Sequence, residues 1–304
     1  MAKQIPKVTV AVSALNEGGN IANFINSVLS QEQRGFSLAK VLIISDGSTD
    51  DTVEIVKSFK SPKIQIRDYK ERRGKSFRLN QIYEILKSDF LIQSDADVVF
   101  GHKNVIRNMI RPMLTDSRVG MTSGKAIAYR PETLMERAIH LTSLAYDEVK
   151  KLRDGNNKFT VQGRILAFRK NFSKRLKIPT EVIGNDAYSY FYCKTLGFEY
   201  RYVKSATVCF RSPQTLKDHI KQNIRFEAVM KKMKRYFPED LVEAEFYIPK
   251  KILIAGMIKA FIKNPILSIF IFLVNYYCRK MANKNEHLLT GKWQIADSTK
   301  FLKN

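Results

Sequence analysis

The chain has 304 residues, 44% of them hydrophobic and 27% charged, the balance of an ordinary globular protein and not of a disordered chain. Its 52 Lys+Arg against 29 Asp+Glu leave a formal net charge of +23, so an anionic partner is expected: an acidic membrane surface, a phosphorylated substrate or nucleic acid. Cys193, Cys209 and Cys278 lie far apart with no Cys-x-x-Cys spacing, which supports neither a disulfide framework nor a zinc site and fits a reducing compartment.

The segment before Val8 contains no signal-peptide core, so a cytosolic placement is expected. From there, short β-branched runs alternate with helical patterns. Strands are expected at 8–15, 41–45, 64–66 and 90–94, with helices at 21–29, 52–59 and 77–86 between them. That alternation predicts an α/β fold with a parallel sheet under covering helices. Further strands are expected at 119–128, 165–169 and 200–208, and helices near 133–152, 186–196 and 216–237. No internal repeat or low-complexity linker interrupts the series.

The character changes at Pro249. Residues 252–262 and 265–278 are strongly apolar, broken by Lys259, Lys263 and Pro265, and each run is shorter than the roughly 20 residues a spanning helix needs. Lys250-Lys251 and Arg279-Lys280 flank the pair, which predicts a re-entrant or in-plane helical pair on the cytoplasmic face. A buried hairpin of a soluble core is the alternative. The basic run Lys231-Lys232 and Lys234-Arg235 is expected to face anionic lipid.

Ligands of an open parallel sheet bind at the carboxyl ends of its strands. Those ends are acidic here: Asn16-Glu17 after the first strand, Asp46 to Asp51 after the second, Asp95-Ala96-Asp97 after the fourth. Carboxylates crowded on one edge repel and raise one another's pKa unless a cation joins them. Asp95 and Asp97, two residues apart on an extended backbone, project to one side. One suits a ribose hydroxyl and the other a hard metal, Mg or Mn, bridging two phosphates. The stretch Asp46 to Asp50 also reads as a turn capping a helix that starts near Thr52, leaving Asp46 to accept from a base or ribose.

Two nucleotide motifs are missing. Gly74-Lys75-Ser76 ends like a P-loop, but Tyr69 stands where its first glycine belongs. No Gly-x-Gly-x-x-Gly follows the first strand, which removes the best argument for a dinucleotide-dependent oxidoreductase. Gly74-Lys75 nevertheless opens a helix, where a phosphate is welcome. His102, His140, His219 and His287 lack ligand spacing and are expected on the surface or in the core. Trp293 and the aromatics of 270–277 are expected as packing or interface anchors.

Val8–Glu17 with Asn20-Ile21, Asp46–Asp50, Gly74-Lys75 with Asn80, and Asp95-Ala96-Asp97 together resemble the successive motifs of family-2 glycosyltransferases, which have the GT-A fold. Downstream, 163–169 resembles the strand before the acceptor site, Gly184-Asn185-Asp186 the Glu-Asp motif, 197–202 the strand after it, and 222–226 the Gln-x-x-Arg-Trp signature of membrane-linked members. The resemblance covers about residues 8–230, in order.

It implies a mixed, mostly parallel sheet flanked by helices, and the composition after Pro249 adds the expectation of a C-terminal apolar helical membrane-associating segment. Residues 1–100 are expected to bind the nucleotide sugar, 101–237 to hold acceptor binding and catalysis, and 238–304 to associate with the membrane. It implies that Ala14, Asn16, Glu17, Asp46, Gly74, Lys75 and Asp95 surround a UDP- or GDP-sugar, with Asp46 and Asp95 on base and ribose. Asp97, with Asp95, takes the Mg or Mn ion. Asp186 becomes the general base of an inverting displacement onto a hydroxyl acceptor, while Gln222, Arg225 and Phe226 face diphosphate and acceptor; the apolar tail adds the expectation that this acceptor is lipid-linked or membrane-proximal.

The chain departs from the pattern in four places. Ser13-Ala14-Leu15 replaces Pro-Thr-Tyr, Asn185 replaces Glu, and Phe226 replaces Trp. The many spanning helices of processive synthases are also missing. A catalytically silent nucleotide-sugar-binding scaffold and a basic nucleic-acid-binding protein are the rival readings. The acidic strand ends argue against nucleic acid as the partner.

Overall fold

The computed structural model describes residues 4–285, 289 and 297–300. The first half runs β1 (Lys7–Ala14), α1 (Gly18–Leu29), β2 (Ser37–Asp46), α2 (Thr52–Ser58), β3 (Ile64–Tyr69), α3 (Lys75–Ile85) and β4 (Phe90–Ser94). It continues through β5 (Val98–Phe100), α4 (Val105–Thr115), β6 (Val119–Ala128), α5 (Leu134–Ala145), α6 (Asp147–Lys150), β7 (Ile165–Arg169) and α7 (Lys170–Ser173). Last come α8 (Asn185–Thr195), β8 (Glu199–Phe210), α9 (Leu216–Met233), α10 (Glu239–Phe246), α11 (Lys250–Lys263) and α12 (Pro265–Asn285).

All eight strands form one sheet in the order β3-β2-β1-β4-β7-β6-β8-β5. Its first part is parallel, as β1 pairs with β2 and β4, and β2 with β3. β7 then runs antiparallel to both β4 and β6, β8 parallel to β6, and β5 antiparallel to β8. The expected α/β architecture with a mixed sheet and flanking helices is therefore observed.

Both faces of the sheet are covered, which is why its strands read as continuous apolar runs. In β1, Val8, Val10 and Val12 turn to one core with Ile21, Phe24 and Met109, while Ala11 turns to the other with Leu79, Phe168 and Phe191. Period-two alternation thus divides one apolar run between two cores. The strand order reverses at β1, whose neighbours β2 and β4 lie on opposite sides. Beyond the carboxyl ends of β1 and β4 the connecting chains diverge and open a crevice.

Several elements differ from the sequence reading. Residues 133–152 form not one helix but α5 and α6, followed by a tight turn in which Arg153 and Asp154 take positive φ. The Arg153 guanidinium holds Glu245 of α10 at 2.5 Å, so a tertiary ion pair fixes a turn that periodicity hides. The expected pair of apolar helices is present as α11 and α12. Among the described residues no helix is long and apolar enough to cross a membrane. His287 and Trp293 lie outside the described residues.

Candidate active site

The crevice begins with two turns stitched together. Asn16 takes a left-handed φ of 54°, which asparagine tolerates; its Oδ1 accepts from Thr49 N at 2.8 Å and its N–H donates to Ser48 Oγ at 3.1 Å. Glu17 N donates to Thr52 Oγ1 at 2.8 Å, and Gly18 N to Asp50 Oδ2 at 2.9 Å. A methyl at Gly18 would fall 1.8 Å from Asp51 Oδ1 and 3.0 Å from Asp50 Oδ2, so a side chain there requires the exposed Asp51 carboxylate to swing aside. Asp50, not the residue next to the helix, caps α2 by accepting from Thr52 N at 3.1 Å.

Asp46, 3% exposed, accepts from Arg73 N and Gly74 N, each at 2.8 Å, and from Arg78 Nε at 2.7 Å. Its carboxylate therefore already occupies the N-terminus of α3, where Gly74 adopts a φ of 94° open to glycine alone. Arg78 is itself fully buried and lies over the Tyr69 ring at 4.1 Å. The sequence reading left Asp46 available to a ligand and did not identify Arg78. Structurally, Asp46 anchors the 72–74 loop while still bordering the cavity.

Past β4, Asp95 and Asp97 face a cavity of about 450 Å³, within the usual range for ligand pockets. Lys75 is ion-paired to Asp95. Burial pushes the Asp95 carboxyl up, but Lys75, then Arg164 and Lys300, outweigh it and hold the group below the usual carboxylate range. Asp97 moves the other way: burial and the Asp95 charge push it up. Burial and then Asp97 push Glu17 up to about 7. The crowding expected from the acidic strand ends is thus present, and two of the three carboxyls resist ionisation.

Among the described residues no cluster of three or more His, Cys, Asp and Glu side chains could hold a metal by itself. Asp95 and Asp97 still fit a hard, oxygen-seeking divalent ion. Such an ion takes one or two carboxylates and completes its shell with substrate phosphates and water. Nitrogen- or sulfur-seeking metals find no ligand in this lining.

Opposite these carboxylates, Asp186 stands in the first turn of α8, its Oδ1 accepting from Ala187 N at 2.9 Å. Asn185, in the place of the expected glutamate, is 5% exposed and donates to Ser76 Oγ at 2.9 Å. It ties the start of α8 to the start of α3, so its role here is to hold two helix ends together. From α9, Gln222, Arg225 and Phe226 line the cavity. Burial lowers the Arg225 guanidinium to about 10 against the pull of Asp95, and Phe226 is 57% exposed.

Of the residues expected from sequence, Glu17, Asp46, Gly74, Lys75, Asp95, Asp97, Asp186, Gln222, Arg225 and Phe226 share this one cavity. Ala14 does not line it: Ala14 is in the core, and strand alternation presents Ser13 and Leu15 instead. Asn16 does not line it either and holds the 48–49 turn. Sequence reasoning missed Lys158 and Gln162 and gave Arg164, within the 163–169 motif, no role in the site; all three arrive on the segment before β7. It also missed Thr299 and Lys300. Lys300 donates to Leu15 O at 3.2 Å and pairs with Glu17, while Ser298 N donates to Asp218 Oδ2 at 3.0 Å.

The family profile described as Glycosyl transferase family 2 matches residues 9–190, more than half of the chain. The chain is 22% identical over 233 residues to a poly-beta-1,6-N-acetyl-D-glucosamine synthase of Staphylococcus epidermidis, covering 74% of this chain and 54% of the relative. It is 24% identical over 229 residues to the synthase of the same name from Staphylococcus aureus, covering 73% and 54%. The chain therefore spans about half the length of the curated relatives it matches. A mannosyltransferase from Pyrobaculum calidifontis, solved with GDP-Man and Mn2+, superposes with a TM-score of 0.62 at 17% identity over 96% of this chain and 77% of that one. A glucosyl-3-phosphoglycerate synthase from Mycobacterium tuberculosis, solved with Mn2+, UDP and glucosyl-3-phosphoglycerate, gives 0.52 at 16% identity over 76% and 80%. At such identities these structures speak to the fold, and with the profile match they lead to one conclusion: the chain belongs to glycosyltransferase family 2 and has the GT-A fold.

Proposed function

We propose that this protein transfers a sugar from a nucleotide-sugar donor to a hydroxyl acceptor by an inverting displacement. The observation that carries the reading is the meeting of Glu17, Asp95, Asp97 and Asp186 with Lys75 and Arg225 around one cavity at the carboxyl ends of β1 and β4. Carboxylates that a divalent ion can share, facing cations suited to a diphosphate, match the charge distribution of an activated sugar. Relatives solved with GDP-Man or UDP and Mn2+ support a UDP- or GDP-sugar and a Mg or Mn ion.

In this mechanism Asp95 binds the ribose and Asp97, with Asp95, holds the ion, which when bound offsets the negative charge of the diphosphate. Lys75 and Arg225 add positive charge where the leaving nucleoside diphosphate gains negative charge. Asp186 takes the proton of the acceptor hydroxyl, and the oxygen attacks the anomeric carbon on the face opposite the departing diphosphate. Gln222 and Phe226 border the acceptor approach. Asp46 acts on the donor through the 72–74 loop that it anchors.

The acceptor is lipid-linked or membrane-proximal in this reading, and the protein works at the cytoplasmic face of a membrane. α11 and α12 support it: Ile254, Ile258, Ile262, Ile266, Phe272 and Leu273 are all more than half exposed. Large exposed apolar patches on soluble proteins mark interaction surfaces, and basic residues bracket this one at both ends.

The test is a panel of UDP- and GDP-sugars assayed for release of nucleoside diphosphate with and without Mn2+. Release that requires the ion and one donor supports the enzyme. A protein that binds a donor and never turns it over is instead a silent scaffold.

A further inference from the structure

Six cations border the cavity, and they do not stand alike. Lys75 is paired with Asp95 and Lys300 with Glu17, and Arg72 and Arg225 also have partners. Lys158 and Arg164 have no hydrogen bond or ion pair from their side chains among the described residues, although both reach the cavity. Each is held from behind by an aromatic ring. The Arg164 guanidinium carbon lies 3.5 Å from the centroid of Phe210, and Lys158 Nζ 4.7 Å from that of Phe246. Burial depresses both groups; Asp97, then Asp95 and Asp186, oppose it at Arg164, and Asp186 opposes it at Lys158. A lysine or arginine stem that merely covers aromatic surface carries its charge out to water; these two end inside a pocket.

Both belong to the short segment that faces the proposed base. Between them, Gln162 has a buried Oε1 with no hydrogen-bond partner. Gly163 is so close to Asp186 that an added methyl would stand 3.8 Å from Asp186 Cβ. The Arg164 backbone is fixed, its carbonyl accepting from Ser94 Oγ at 2.7 Å. Asp186 turns its carboxylate to its own helix and not to either cation. In the proposed mechanism a divalent ion with Lys75 and Arg225 already faces the donor's diphosphate, which leaves these two charges to another anion. Two half-buried cations whose side chains make no hydrogen bond among the described residues leave donor capacity that a ligand's anion can satisfy.

We propose that Lys158 and Arg164 form an anion site for the acceptor, which carries a phosphate or carboxylate close to the hydroxyl that Asp186 deprotonates. The proposal rests on the glycosyltransferase reading and names the acceptor's class. Gln162 Oε1 accepts from a second hydroxyl of the same molecule.

Calorimetry on the full chain tests this with inorganic phosphate, glycerol 3-phosphate and, as the neutral control, glycerol, alone and after saturation with UDP–Mn2+ or GDP–Mn2+. Glycerol 3-phosphate is expected to bind in both states and glycerol in neither. Lys158→Gln and Arg164→Gln are each expected to weaken it about tenfold or more, the loss of a charge-assisted contact. Lys158→Arg keeps the charge and should retain binding, which controls for misfolding. Farnesyl phosphate separates the sources of the anion: binding about tenfold tighter than glycerol 3-phosphate assigns a lipid-borne phosphate, and equal binding a soluble one, both within the proposal. Three results overturn it: no binding of glycerol 3-phosphate, its displacement by the saturating nucleotide, or unchanged affinity in Lys158→Gln. Should neither nucleotide bind with or without Mn2+, the glycosyltransferase reading fails, while the nucleotide-free comparison of Lys158→Gln with the parent still decides the anion site.

Discussion

Single side chains show where sequence is readable and where it is not. Asp95 and Asp97 were legible because an acidic pair directly after an apolar strand has few structural uses, and strand geometry says which way both point. Arg78 was not, because its partner Asp46 lies 32 residues away and nothing local distinguishes a buried arginine from a surface one. Lys300 is the extreme case, 283 residues from Glu17. Asp186 was placed by resemblance alone; by itself it is an acid in the first turn of a helix, a position favoured by the helix dipole. The mechanism predicts that Asp186→Asn leaves donor affinity within about threefold and slows transfer by about 10²–10⁴-fold, the usual contribution of a positioned base. Equilibrium titration and initial rates on the same preparation measure both. Transfer at the parent rate contradicts the assignment.

Among the elements, those with strong periodicity and β-branched runs were anticipated, whereas β5 and α10 were not. β5 has only three residues, too few for a pattern, and exists because β8 offers it an edge. α4 was also passed over, although Val105, Ile106, Met109, Ile110 and Met113 recur at helical spacing, because Pro112 reads as a helix breaker. How α9 meets α12 was equally invisible. His219, buried on α9, places Nε2 3.0 Å from Asn275 Oδ1 on α12, and that oxygen also accepts from Asn223 Nδ2 at 2.9 Å. Burial pulls the imidazole below its ordinary value near 6.5, against the opposing bond to Asn275. The folded protein therefore stays neutral at His219 where the unfolded chain already binds a proton. Linkage then makes this contact lose stability as pH falls through about 6.5 and leaves it intact above. Thermal melts between pH 7.5 and 5.5 should show the midpoint falling more steeply for the parent than for His219→Gln. Parallel curves would remove His219 from the account.

Across the whole molecule, a very basic chain gathers Glu17, Asp46, Asp95 and Asp97 at one edge of the sheet, and composition anticipated the first half of that statement only. The excess charge and the exposed apolar faces of α11 and α12 are the basis for the membrane reading. Cosedimentation should recover the protein with vesicles containing phosphatidylserine and leave it in solution with neutral phosphatidylcholine. Replacing Ile262 and Phe272 together by Glu should reduce the bound fraction at least about tenfold, since each buried apolar side chain contributes roughly 1.5–3 kcal/mol. Equal partition of parent and variant contradicts the reading. The central claim, that carboxylates from separate strands share one divalent ion with an activated sugar, is most directly tested by calorimetric titration of the parent and Asp97→Ala with UDP- and GDP-sugars, with and without Mn2+. The parent is expected to bind one donor far more tightly with the ion present, and the variant to bind it with no such dependence. An unchanged Mn2+ dependence in Asp97→Ala, or a parent indifferent to the ion, contradicts it.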